Sequence, residues 1–171
     1  LRANDLIWSF FINNYLLGKD PFPFDLLYWN SDSTRMPAKM HSFYLRNLYQ
    51  HNRLKDPGGI TLLGTPIDLS KVKVPTYFLS AIEDHIAPWT STYSGSLLFT
   101  GPVKFVLSGS GHIAGPINPP AANKYFFWTN PKHPADPDEW LKEAKQTDGS
   151  WWPDWAKWLG KLSGEKVPAR I

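Results

Sequence analysis

The chain contains no cysteine among its 171 residues. That excludes disulfides, thiolate-ligated metal and a thiol nucleophile within this stretch, and it is compatible with a reducing compartment. Long apolar runs are missing as well. None approaches the ~20 residues needed to span a bilayer. Asn4, Asp5, Asn13 and Asn14 interrupt the first apolar stretch and no small-residue cleavage site follows, so no signal peptide is expected. Charge of one sign is also sparse. Eighteen Lys and Arg against fifteen Asp and Glu leave a formal charge of +3. Lys19, Lys39, Arg46, Arg53, Lys71, Lys73, Lys104 and Lys142 are scattered, with no basic run of five, which argues against nucleic-acid binding.

What is abundant points to a folded chain. Hydrophobic residues make up 42% and charged residues 19%, a globular balance, and a chain of this length buries roughly 70% of its unfolded surface. Nine Trp and sixteen Pro stand out. They suggest a compact, loop-rich region whose rigid rings line a cleft or dock on another part.

Asn4-Asp5 caps an expected helix to about Leu17, stopped by Gly18, with Leu6, Ile7, Phe10, Phe11, Tyr15 and Leu16 at helical spacing. An irregular aromatic segment, 21–37, leads to a second expected helix from Pro37 to about Asn52. Asp56-Pro57-Gly58-Gly59 reads as a turn. Beyond Ile60 the grammar changes. VPTYFLS (74–80) and VKFVL (103–107) read as buried strands, separated by the loop AIEDHIAP and a helix from about Trp89 to Phe99. Strand, helix and strand with short connections imply a parallel unit. The tail is expected to be helical, starting at Asp136-Pro137-Asp138-Glu139 and again near Ser150.

In open α/β sheets, ligands gather at the carboxyl ends of the strands. Two loops fall there. One carries Asp84 and His85, and the other carries His112, 28 residues after Asp84. One strand-helix-strand unit separates them, so parallel neighbours would bring both to one sheet edge. An Asp and a His so placed form the second half of a nucleophile–His–Asp relay, in which the carboxylate holds the imidazole and the imidazole takes the nucleophile's proton. Asp before His also matches the chain order of α/β-hydrolases. Gly109 and Gly111 would permit tight turning there. The plainer alternatives are a turn-capping Asp and a surface His, and the residues alone leave both open. His85, beside Asp84, would point elsewhere.

VPTYFLSAIEDHIAPW (74–89) and FVLSGSGHIAGPINPP (105–120) closely resemble the Asp and His segments of class I polyhydroxyalkanoate synthases. FDLLYWNSDSTRMP (24–37), ANKYFFWTN (122–130) and GSWWPDWAKWL (149–159) resemble the same family, in the same order. The resemblance implies the C-terminal part of an α/β-hydrolase fold, a parallel sheet flanked by helices, with part of a cap or lid subdomain. It divides the chain at residue 57: 1–57 as a cap-associated helical segment and 58–171 as core. It assigns Asp84 as the catalytic Asp and His112 as the general base, and Trp29, Asn30 and Asp32 fit the family's W-N-x-D motif as supporting candidates; His85 is a further supporting candidate by its place beside Asp84. It also implies an acyltransferase that polymerises (R)-3-hydroxyacyl-CoA, notably 3-hydroxybutyryl-CoA, into polyester and releases CoA. No cofactor is implied, since the substrate itself is the CoA thioester. The implied setting is a cytoplasmic homodimer at the surface of a polyester granule, with no nucleic acid and no transmembrane segment.

This sequence departs from the family in lacking the G-x-C-x-G elbow, and no G-x-S-x-G replaces it. The expectation is a partial sequence whose nucleophile lies upstream of Leu1, inactive alone and active in its parent. Phe22, Phe24, Tyr28, Trp29 and Trp89 are candidates for an apolar, water-excluding tunnel, or equally for plain packing. Arg35, Arg46 and Arg53 are candidates for CoA phosphates by charge alone. The Trp-rich tail is expected to pack on the core or to face the granule. Other classes to weigh are a lipase, esterase or depolymerase fragment with Ser in the elbow, a non-catalytic coat module, and a metal site of Asp84, His85 and His112, which lacks H-x-x-x-H or H-x-H spacing.

Overall fold

A computed structural model describes residues 7–21 and 32–169. The chain divides into two compact units, Leu1–Phe43 and Tyr44–Ile171.

In the first unit, residues 7–16 are helical and include the π-helical stretch Phe11–Leu16. The helix ends where expected, ahead of Gly18, whose φ of +61° is open to glycine. Its expected start at Asn4-Asp5 lies outside the described residues. Helix α1 (Ala38–Tyr44) follows Pro37 and passes into a π-helical stretch, Leu45–Gln50, in the second unit. Asn52, at φ 46°, closes the run.

The second unit opens with a small hairpin, β1 (Thr61–Leu62) against β2 (Thr65–Pro66). Leu63 and Gly64 turn it, both at positive φ, the geometry that matches the twist of paired strands. The apolar run at 60–63 is therefore mostly on the surface. Ile60 is buried, but Leu63 is fully exposed.

The principal sheet has four strands in the order β3 (Thr76–Ala81), β4 (Val103–Ser108), β5 (Phe126–Thr129) and β6 (Lys145–Asp148). β3 and β4 run parallel, with Thr76 opposite Val103 and Ala81 opposite Ser108. The crossover between them carries helix α2 (Trp89–Ser96), as the strand-helix-strand reading requires. The sheet as a whole is mixed, which corrects the expectation of a parallel one: β5 is antiparallel to β4, and β6 to β5. A loop and one short 3₁₀ turn, Pro120–Ala122, join β4 to β5. With no crossover helix to carry the chain back, β5 returns in the opposite direction.

The tail is correspondingly less helical than expected. α3 (Pro137–Lys142) starts as read, with the Asp136 side chain accepting the Asp138 N–H and Pro137 in the first turn. β6 then intervenes before α4 (Trp152–Gly160).

Side chains alternate across the sheet and divide it into two faces. Phe105 and Leu107 join Tyr93 of α2 and Trp140 of α3 in the buried core, with Phe78, Trp89 and Trp128 packed around them. Tyr93 and Trp140 meet Phe105 edge-on, at centroid distances of 4.9 and 5.1 Å, a preferred aromatic geometry. On the opposite face Tyr77 packs against Trp158 of α4 at 5.3 Å. Helices thus cover both faces, as a parallel strand pair needs. No helix among the described residues is long and apolar enough to cross a membrane.

Candidate active site

Parallel, in-register pairing brings the ends of β3 and β4 level. The pairing continues past the ladder: Ile82 N–H donates to Ser108 O at 2.9 Å and Glu83 N–H to Ser110 O at 3.0 Å. The Asp84 loop and the His112 loop are therefore stitched together by backbone before any side chain is involved. Inside the strand ends, Ser108 Oγ donates to Ser80 O at 3.0 Å, and both serines are buried.

Asp84 and His112 meet here. His112 Nδ1 lies 2.8 Å from Asp84 Oδ2. The other carboxylate oxygen, Oδ1, accepts the N–H groups of Ile86 and Ala87, each at 2.9 Å. The turn-capping and relay readings of Asp84 are thus compatible, because each uses a different oxygen. Burial alone pushes this carboxyl upward. The Ala87 N–H, the His112 ring and the Ile86 N–H together outweigh it and hold Asp84 below the usual carboxylate range.

The Asp84 side chain is 8% exposed and that of His112 46%. A largely hidden carboxylate thus orients a half-open imidazole. With Nδ1–H given to the carboxylate, Nε2 keeps its lone pair and is the nitrogen left to act as a base.

The glycines act differently from expectation. Ser110, not Gly109 or Gly111, takes the positive φ in this loop, at 70°. Gly109 abuts Phe126, where an added Cβ would sit 3.1 Å from the carbonyl oxygen, and Gly111 has ordinary room. The crowded position is Gly115, where a Cβ would fall 2.8 Å from Ala81 Cβ, Gly109 O and Ser108 Oγ alike. Gly115 N–H donates back to Gly111 O at 2.9 Å and closes the turn that carries His112.

No other candidate described in the second unit is hydrogen-bonded to this pair. His85 is exposed beside it. Asp32 is exposed in the first unit, and Trp29 and Asn30 lie outside the described residues, as do Phe22, Phe24 and Tyr28. Trp89, partly buried, packs against Tyr93 and Trp140 at 6.4 and 6.5 Å between ring centroids. Arg35, Arg46 and Arg53 are exposed. Among the described residues no group of three His, Asp or Glu gathers to hold a metal ion.

The sequence reading missed the indoles. Trp151 Nε1 donates to Gly115 O and Pro116 O, 3.2 Å each, and Trp152 Nε1 donates to Pro116 O at 3.0 Å. Helix α4 itself is fixed to the sheet by Asp154, which accepts from Tyr77 Oη at 2.9 Å and pairs with Lys104 at 2.6 Å. Burial first, and then the Asp154 carboxylate, push the Tyr77 phenol far above its usual range, so it remains a donor. The one hint in the sequence was the adjacent pair of Trp residues, each with a polar N–H to place.

The site is thus a carboxylate–imidazole pair at the carboxyl ends of two parallel strands of an α/β sheet. Comparison with known proteins places it more narrowly. The chain is 58% identical over 170 residues to the poly(3-hydroxyalkanoate) polymerase subunit PhaC of Rhizobium meliloti (strain 1021), covering 99% of the chain and 28% of that protein. It is 50% identical over 169 residues to the subunit of the same name from Cupriavidus necator, with 99% and 29% covered. To the poly(3-hydroxyalkanoate) polymerase of Methylorubrum extorquens it is 53% identical over 172 residues, with 100% and 28% covered. No protein-family model matches. Along its whole length the chain is thus similar to one stretch of poly(3-hydroxyalkanoate) polymerases. It spans less than a third of the length of these relatives.

Proposed function

We propose that this chain supplies the base and its orienting carboxylate to a polymerase that joins (R)-3-hydroxyacyl units from CoA thioesters into polyester. The observation that carries the reading is the 2.8 Å contact between His112 Nδ1 and Asp84 Oδ2, with the imidazole half open and the carboxylate hidden. The names of the relatives support the substrate class.

In this reading residues 58–171 are the C-terminal part of an α/β-hydrolase core and residues 1–57 a cap-associated segment. The nucleophile is a Cys outside the 171 residues. His112 Nε2 takes the thiol proton, and the thiolate attacks the acyl carbonyl. The carbon–sulfur bond to CoA breaks, and the imidazolium returns its proton to the departing CoA thiolate. His112 then takes the proton from the hydroxyl of the next hydroxyacyl unit. That oxygen attacks the acyl-enzyme, an ester bond forms and the Cys sulfur leaves with the proton. Asp84 stabilises the imidazolium at both stages. The substrate is 3-hydroxybutyryl-CoA or a similar short thioester. No cofactor takes part, and the working form is a homodimer at a polyester granule in the cytoplasm.

The test is CoA release from 3-hydroxybutyryl-CoA by the full-length protein, with and without Asp84→Ala and His112→Ala. Both substitutions should remove a factor of about 10² to 10⁴, the usual worth of a positioned base. A His112→Ala protein that keeps its rate overturns the base, and a Ser in place of the expected Cys overturns the polymerase chemistry.

A further inference from the structure

We propose that Trp151 and Trp152 are positioning residues for His112, holding the turn that carries it through their indole N–H groups. The inference rests on the reading of His112 as the base.

The His112 ring is half exposed and, among the described residues, has one side-chain partner, the Asp84 carboxylate. Its own packing therefore does little to fix where Nε2 sits, and the backbone beneath must be held from elsewhere. Gly115 closes that turn onto Gly111. From the sheet side Gly115 is wedged against Ala81, Ser108 and Gly109 with no room for a methyl group. From the other side the Trp151 indole is shared between the Gly115 and Pro116 carbonyls, and the Trp152 indole reaches Pro116. The turn is gripped between the strand ends and two donors.

Those donors stand on a fixed base. They lie at the start of α4, and two residues further on Asp154 is tied to Tyr77 of β3 and Lys104 of β4. A continuous set of contacts therefore runs from the two strands, through α4, to the turn at the strands' own carboxyl ends. A reacting group misplaced by about 1 Å loses up to about a hundredfold in rate. Trp→Phe keeps an aromatic ring but removes the N–H together with the bulk of the pyrrole ring, so a Trp→Phe change elsewhere on the same helix controls for the lost bulk.

The experiment uses the full-length protein carrying Trp151→Phe and Trp152→Phe together, with Trp158→Phe on the same helix as control. CoA release from 3-hydroxybutyryl-CoA is followed for kcat and KM separately. The double variant should lose about tenfold or more in kcat with KM little changed. A double variant that matches Trp158→Phe in kcat overturns the clamp. If the double variant does not fold, Trp152→Phe alone decides: its indole is partly exposed and should be dispensable to folding, and an unchanged kcat would overturn the inference. His112→Ala in the same assay separates the two levels. Lost turnover there with unaffected Trp variants sinks the clamp alone, whereas retained turnover sinks the base and the clamp with it.

Discussion

Tyr77 donates its phenolic O–H to the Asp154 carboxylate at 2.9 Å, joining the border strand of the sheet to the last helix across the face opposite the aromatic core. Lys104, opposite Tyr77 in the parallel register, contacts the same carboxylate. The three residues make one knot in which Asp154 is the shared acceptor.

Tyr77→Phe should therefore lower the stability of the full-length protein by about 1.5–3 kcal/mol, the usual worth of a hydrogen bond to a charged group. Asp154→Ala should cost more than Tyr77→Phe, since it leaves a phenol and an ammonium without their acceptor. Urea unfolding of both variants measures the order, and equal midpoints would contradict it.

Asp84→Asn separates orientation from folding. Asn keeps an oxygen for the Ile86 and Ala87 N–H groups, so the loop and the melting temperature should change little. It turns an N–H toward His112 Nδ1, which favours the wrong tautomer, and turnover should fall by about 10² to 10⁴. Thermal melting and CoA release, measured on one preparation, test both halves.

Two glycines give opposite expectations. Gly115→Ala forces a methyl group to 2.8 Å from three atoms, two of them on the strand ends, and should destabilise by about 1–3 kcal/mol while disturbing His112. Gly160→Ala, at the end of α4 with open space around it, should be neutral or stabilising by up to about 1 kcal/mol. Parallel melts of the two variants check the contrast.

His133 sets a pH dependence away from the site. Its ring meets the buried Ser96 hydroxyl through Nε2 at 2.8 Å and stacks edge-on to Tyr93, and burial lowers its pKa. A histidine with a depressed folded pKa favours the unfolded chain once that chain can take up the proton. Its contribution is complete above the unfolded pKa, about 6.5, and is lost as pH falls from there through the folded value. His133→Asn should flatten the stability profile below about pH 6.5 relative to the parent, as read from urea midpoints at several pH values.

The parts of this molecule legible in its sequence are those with local signals. TYFLS and VKFVL announced buried strands, Asp136-Pro137 a helix start, and the 28-residue spacing of Asp84 and His112 a shared sheet edge. β5 and β6 were not legible. Phe126, Phe127 and Trp128 form an unbroken aromatic run, and Lys-Gln-Thr-Asp in β6 offers no apolar alternation. Both strands exist because a neighbour provides the ladder, and single-strand patterns do not carry that information. The indole clamp was hidden for a related reason. A hydrogen bond from a Trp to a carbonyl some 36 residues away leaves no periodicity along the chain.

All four residues of β6 face water, and all are polar or charged. Such a strand makes a poor template for another. β3, at the opposite border, reads TYFLSA and is half-buried or buried along its length. The sheet therefore has one receptive flank: a further strand should dock beside β3, where the Asp84 loop emerges.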